Sequence, residues 1–187
     1  MRFGFERAGI FFGAVMLVGT ACGPVVTPSG AAEQSPTGTC ARIQSFPSLG
    51  QAHIKPGETH PPYNSNPPTS GWHYDTPQRE GIYTTQQSQE QILHNLEHGF
   101  VNIQYKDLLG PEVQRLIDLV RRDQRHLILA PYPGLPADVK VALTAWTGPN
   151  GDPARQIGKL QYCTGVDENA ARDFIRSFRD QGPELVP

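Results

Sequence analysis

The chain has 187 residues, 18% of them charged, and a formal net charge of −2 at pH 7. This length suits one domain of ordinary size with a real hydrophobic core. Because basic residues are not in excess and form no stripe along the sequence, the composition gives little support to nucleic-acid binding.

Residues 1–22 are typical of a signal peptide for export. Arg2 and Arg7 form a basic start, and residues 8–18 are an apolar stretch too short to span a bilayer stably. Small residues then lead into Cys22, as in bacterial lipoprotein signals, although Gly19 stands where such signals usually have leucine. We therefore predict an exported lipoprotein, anchored at the cell envelope by lipid on Cys22. Secretion after ordinary signal cleavage is the alternative.

Residues 23–39 are small, polar and rich in Gly, Pro, Ser and Thr, which predicts a flexible tether ahead of a single globular domain at residues 40–187. If Cys22 carries lipid, Cys40 and Cys163 are the only thiols left. Such a pair in an oxidising compartment predicts a disulfide, with two buried free thiols as the alternative. Neither cysteine belongs to a CxxC motif, so thiol redox catalysis is not expected.

Clear periodic patterns begin at Ser88. Ser88 with Gln91 three positions later is a capping-box signature, which predicts a helix that Gly99 ends. Residues 100–105 alternate between apolar and polar side chains, as a half-buried strand does. Pro111 then suits the first turn of a second helix, which carries a regular apolar stripe.

The rest of the chain completes an α+β pattern. We predict strands at 126–130, 139–146 and 158–163, and a last helix that begins near Asp167. This order predicts a small mixed sheet with helices packed on it, preceded by a long loop rich in proline and histidine. A thioredoxin-like arrangement without a CxxC motif is the alternative, and it requires a strand near residues 43–46.

Histidines concentrate between Gln51 and Gly99, where all but one of the six occur. Neutral imidazole is the commonest metal ligand in proteins. The sequence therefore predicts a divalent metal site, and the candidate ligands are His53, His60, His73, His94 and His98.

The helix and the loop together favour this site. His94 and His98 lie about 40° apart around a helix, with Glu97 on the flank, and such a pair clamps a metal at two points. Residues 53–87 show almost no periodicity, and structureless loops of that length are uncommon unless they are functional or disordered. Folded over the helix, the loop brings its own histidines to the pair. A solvated polar face and a network of hydrogen-bonded histidines are the alternatives.

The donor types point to zinc or copper. Both methionines lie in the signal region and the mature cysteines are predicted to be oxidised, so sulfur ligands are missing. Imidazole with carboxylate or water suits Zn(II) or Cu(II). The spacing does not choose between these metals.

Residues 94–98 also spell H-x-x-E-H and so resemble the inverted zinc-peptidase motif. That resemblance implies Glu97 as general base, with Glu168 as a candidate third carboxylate. The domain is much smaller than those peptidases, so we favour metal binding without turnover over enzyme activity. A metal-dependent hydrolase and a non-metal binding module that uses the Tyr/Trp/Pro loop are the alternatives. Protein partners are not indicated.

The sequence contains, in this order, the strings HPPYNSNPPTSGWHY, LHNLEHGFVNIQY and LAPYPGLP. Together they resemble the bacterial family catalogued as domain of unknown function 3105. The resemblance runs from about Cys40 to Gly182. It implies an exported or membrane-anchored protein and supplies no activity. Within the site it highlights His60, His73, Glu97 and His98.

Overall fold

A computed structural model describes residues 39–184. The predicted signal, Cys22 and the predicted tether apart from Thr39 lie outside the described residues, as do residues 185–187. Among the residues described, no helix has the length and apolar character needed to cross a membrane.

The helices and the later strands form where the sequence predicted them, with ends that differ by one or two residues. In chain order the elements are β1 (Gln44–Pro47), β2 (His53–Ile54), β3 (His73–Tyr74), β4 (Gly81–Ile82), α1 (Gln89–Glu97), β5 (Val101–Tyr105), α2 (Gly110–Arg122), β6 (Leu127–Pro131), β7 (Val141–Thr147), a 3-10 turn (Pro153–Arg155), β8 (Ile157–Cys163) and α3 (Glu168–Phe178).

Six of these strands form one mixed sheet in the order β1-β8-β7-β5-β6-β4. The strands β4, β6 and β5 are parallel, whereas β7, β8 and β1 each pair antiparallel with a neighbour. The prediction of an α+β fold with a mixed sheet is thus confirmed. The strand that the thioredoxin-like alternative requires is present as β1, at the sheet edge beside β8. That alternative itself remains a prediction.

The two faces of the sheet pack against different helices. Successive residues of a strand point to opposite faces, so Val101 and Ile103 of β5 pack with α2 and α3. On the other face, α1 lies over the sheet through Leu93 and Leu96, which pack around Trp146 of β7. The sheet therefore separates α1 from α2 and α3.

The loop that precedes α1 is ordered by three very short strands. β2 and β3 pair parallel to each other, with His53 opposite His73. β4 joins the main sheet as the parallel neighbour of β6. Two residues are too few to show an alternating pattern, so these strands could not be predicted from periodicity.

The predicted disulfide joins Cys40 to Cys163, which are 123 residues apart in the sequence and both buried. It ties the first described residues to the end of β8. Because disulfides persist in oxidising compartments, this one indicates a location outside the cytoplasm.

Candidate metal centre

The helix α1 is buried on both sides. The Ser88 hydroxyl accepts a hydrogen bond from the Gln91 amide at 3.3 Å and so caps its first turn. Every residue from Ile92 to Glu97 is buried, because the sheet covers one side of the helix and the loop covers the other. The polar residues His94, Asn95 and Glu97 therefore face the loop in an interior setting, not solvent.

Four side chains converge between α1 and the loop. One donor atom from each can be chosen so that all four atoms lie within 4.8 Å of one another. The Oε2 atom of Glu97 is 3.0 Å from His73 Nε2 and 3.8 Å from His53 Nε2. The His53 and His94 rings stack with centroids 5.1 Å apart. The four-donor group consists of His53, His73, His94 and Glu97.

Backbone carbonyls fix the orientation of two of the rings. His73 Nδ1 lies 2.7 Å from the Gly71 carbonyl oxygen, and His94 Nδ1 contacts the Tyr74 carbonyl oxygen. A carbonyl only accepts hydrogen bonds, so each Nδ1 carries the proton and donates it. Both rings consequently direct Nε2 toward the centre of the group. This arrangement is typical of metal-binding histidines, whose other ring nitrogen donates to a carbonyl or carboxylate.

Burial and neighbours set the charges of the group. Burial lowers the pKa of His94 below its ordinary value, and the nearby His73 and His98 add to this effect. Neutral imidazole, the form that binds metals, is therefore favoured at His94. Burial raises the pKa of Glu97, but its contacts with His73 and Gln51 outweigh burial and leave the pKa below its ordinary value. Glu97 is thus an anion in a buried setting.

His98 lies beside the four-donor group without belonging to it. Its Nε2 atom is 2.6 Å from His94 Nε2, and its Nδ1 atom donates to the Glu184 carbonyl oxygen at 2.7 Å. The segment that follows α3 therefore fixes the orientation of the His98 ring through a hydrogen bond to its Nδ1 atom. His98 therefore borders the group at the same His94 nitrogen that is directed toward its centre, whereas the orientation of the His94 ring is fixed by the Tyr74 carbonyl.

His60 is not brought into the group. Its ring stacks on Trp72 at 5.6 Å, and its Nε2 atom faces Glu90 Oε1 at 3.8 Å. His60 Nδ1 lies 2.7 Å from the Pro61 carbonyl oxygen. The loop thus delivers two of its three histidines to the site and keeps the third on the aromatic cluster beside it.

Residues 53–186 match the family described as Protein of unknown function (DUF3105). The chain belongs to this family. The resemblance noted from the sequence is thereby confirmed. No curated protein and no solved structure matches the chain. The family's description gives no activity, and all four donors of the group lie inside the matched region.

Residues of the H-x-x-E-H string do not take the places that the peptidase resemblance implies. His94 and Glu97 are both donors of the group, whereas His98 is outside it. Glu168, the candidate third carboxylate, begins α3 and pairs with Arg172 at 2.9 Å. That helix packs on the opposite face of the sheet, so Glu168 lies away from the group.

Sequence reasoning placed Glu97 beside the histidine pair but left Gln51 and Gln156 out of the site. Glu97 is a donor of the group. Gln51 donates to Glu97 Oε1 at 2.7 Å, and Gln156 donates to Gln51 at 2.6 Å. Gln51 lies close to His53 in the sequence, so its place was open to inference. Nothing local marks Gln156, which comes from the far end of the domain.

Proposed function

We propose that this protein is an exported, lipid-anchored component of the cell envelope that binds one divalent metal ion, zinc or copper, without turnover. The observation that supports it best is the convergence of three imidazoles and one carboxylate in the four-donor group. Their count matches the four ligands of a closed zinc site.

The electrostatics of the group favour a bound cation. Glu97 is a buried anion, and His73 points Nε2 at its carboxylate from 3.0 Å while Nδ1 donates to a carbonyl. A lone pair directed at a carboxylate is repelled, so this geometry needs positive charge between or on the two groups. A divalent ion supplies that charge and uses the lone pairs of all three rings. Nitrogen and oxygen donors without sulfur suit Zn(II) or Cu(II).

The position of Glu97 favours binding over hydrolysis. A metal-dependent hydrolase needs a carboxylate beside the metal that is free to take a proton from bound water. Here Oε2 of Glu97 contacts His73, and Oε1 accepts from Gln51. Oε1 thus has a hydrogen-bond donor and Oε2 lies beside the histidine nitrogens of the group, so Glu97 acts as a ligand in this proposal.

Metal content and thermal stability test the proposed binding. Protein purified without chelator should carry about one equivalent of zinc or copper by elemental analysis. A ligand that binds only the folded state stabilises it by about 3 kcal/mol at a hundredfold excess over its dissociation constant. Chelation should therefore lower the melting temperature of the wild type, and His73→Ala should lose most of that effect.

His126→Ala is the matched control, because His126 contacts Asp180 at 2.7 Å and takes no part in the group. Chelation should shift its melting temperature as in the wild type. Substoichiometric metal after supplementation with zinc and copper, with no thermal shift, would leave the histidines as a hydrogen-bonded structural network.

The anchor is tested separately. The disulfide supports a location outside the cytoplasm, and the signal-like start supports lipidation of Cys22. Growth with a fatty-acid analogue should label the wild type and leave Cys22→Ser unlabelled. An unlabelled, soluble mature protein that begins at Cys22 would contradict the anchor and leave the metal site unaffected.

A further inference from the structure

A chain of hydrogen bonds runs from the carboxylate of Glu97 into the loop that precedes β8. Gln51 Nε2 donates to Glu97 Oε1 at 2.7 Å. Gln156 Nε2 donates to Gln51 Oε1 at 2.6 Å and also contacts the Pro149 carbonyl oxygen at 3.0 Å. The Ser48 hydroxyl donates to Gln156 Oε1 at 3.2 Å. Gln156 is completely buried, so water does not compete for these partners.

The two ends of this chain fix the direction of both amides. The Pro149 carbonyl and the ionised carboxylate of Glu97 only accept hydrogen bonds. Each must therefore face an NH2 group, which leaves the oxygen of Gln51 to face the NH2 group of Gln156. Reversing either amide would set two acceptors against each other away from bulk water, which is unfavourable. The chain of hydrogen bonds thus has one orientation in which each amide group faces a suitable partner.

We infer that Gln51 and Gln156 are positioning residues that make Glu97 a one-oxygen ligand. The inference rests on the proposed metal function. Gln51 occupies Oε1 and leaves Oε2 directed at the histidines, so the ion has four donors. Four donors in a closed site suit the tetrahedral preference of zinc. If Oε1 is released, Glu97 can bind through both oxygens, and the larger donor number suits the tetragonal preference of Cu(II).

Two variants disturb the chain in different ways. Gln156→Glu keeps the shape of the side chain but has no NH2 group, so Gln51 must turn its own NH2 group toward the introduced carboxylate and its oxygen toward Glu97. Gln51→Leu removes the donor to Oε1 and is the milder change, because Gln51 is only partly buried. Gln161→Glu is the matched control, since Gln161 lies on β8 and donates to the Ala41 carbonyl oxygen, away from the group.

The experiment measures the zinc affinity and the Cu(II) affinity of each protein by chelator competition, and its Cu(II) electron paramagnetic resonance spectrum. Circular dichroism of the metal-free proteins shows which variants fold. Loss of an outer-shell partner typically weakens metal binding about 10–100-fold. We expect this loss for zinc in Gln51→Leu and Gln156→Glu, a smaller loss for Cu(II), and a changed Cu(II) spectrum. Gln161→Glu should match the wild type in all three measurements.

The outcomes separate this inference from the proposed function. Wild-type protein that binds neither metal contradicts both. Wild-type protein that binds metal, with folded Gln51→Leu showing unchanged zinc affinity and an unchanged Cu(II) spectrum, contradicts the positioning role alone. Equal losses for zinc and Cu(II) with an unchanged spectrum would also overturn it, because they would indicate general loosening of the site.

Discussion

His94 lies in the last turn of α1 and His98 caps the end of that helix, and their Nε2 atoms lie 2.6 Å apart. Of the two, only His94 belongs to the four-donor group, and His98 borders it. The helix therefore supplies one imidazole to the group rather than a two-point clamp. The second donor from α1 is the carboxylate of Glu97.

This division predicts unequal effects of the two alanine variants. His94→Ala removes a donor and should reduce metal affinity by more than about 100-fold, whereas His98→Ala removes a ring that borders the group and should reduce it less. Chelator competition with zinc measures both. An equal or larger loss in His98→Ala would show that His98 is itself a ligand.

The two tryptophans of the chain both flank the site and should report on copper. Trp146 lies 6.0 Å from the His73 ring, and Trp72 is the residue before His73. Paramagnetic Cu(II) quenches nearby indole fluorescence, and Zn(II) does not. We expect strong quenching that saturates at one equivalent of Cu(II), with little change for Zn(II). Quenching that grows linearly without saturation would indicate collisional contact and would contradict a specific site.

Stability of the metal-free protein should fall in mild acid. Burial lowers the pKa of His94 in the folded state, whereas an unfolded histidine has a pKa of about 6.5. Below that pH the unfolded chain binds more protons at this position, so the free energy of unfolding falls as pH drops from about 6.5 through the folded pKa. Urea unfolding in the presence of chelator measures this change. His94→Gln should show a shallower fall, and an identical pH dependence in this variant would refute the role of His94.

Much of the fold was open to prediction because long elements repeat a pattern. β7 and β8 each span seven residues, enough for alternation to show. In α1, Ser88 and Gly99 marked both ends. By contrast, β2, β3 and β4 are each two residues long and depend on partners distant in the sequence. No local rule identifies such strands.

The sequence predicts that histidines form the candidate site, but it does not predict which of them join the four-donor group. Clustering pointed to the helix and the loop that supply the four-donor group, but five histidines are candidates in the sequence and three belong to the group. His53 joins because β2 pairs with β3 and places it opposite His73. His60 lies within the same loop yet stacks on Trp72. This long-range packing decides which histidines come together. The spacing of the histidines in the sequence does not reveal it.

Reduction of the Cys40–Cys163 disulfide should lower the free energy of unfolding by about 4–5 kcal/mol, because the bond closes a loop of more than about 100 residues in the unfolded chain. Urea denaturation with and without reductant measures the difference. A protein with both cysteines replaced by alanine is the control and should not respond to reductant. An unchanged midpoint for the wild type, after both thiols are shown to be free, would contradict the estimate.

Anomalous X-ray diffraction from crystals grown with zinc or copper tests the metal centre most directly. Data collected at the absorption edge of the metal should show one peak about 2.0–2.2 Å from Nε2 of three histidines and Oε2 of a glutamate. We predict that these ligands are His53, His73, His94 and Glu97. Absence of a peak at this position, or a peak without Glu97 as a ligand, would contradict the proposed centre.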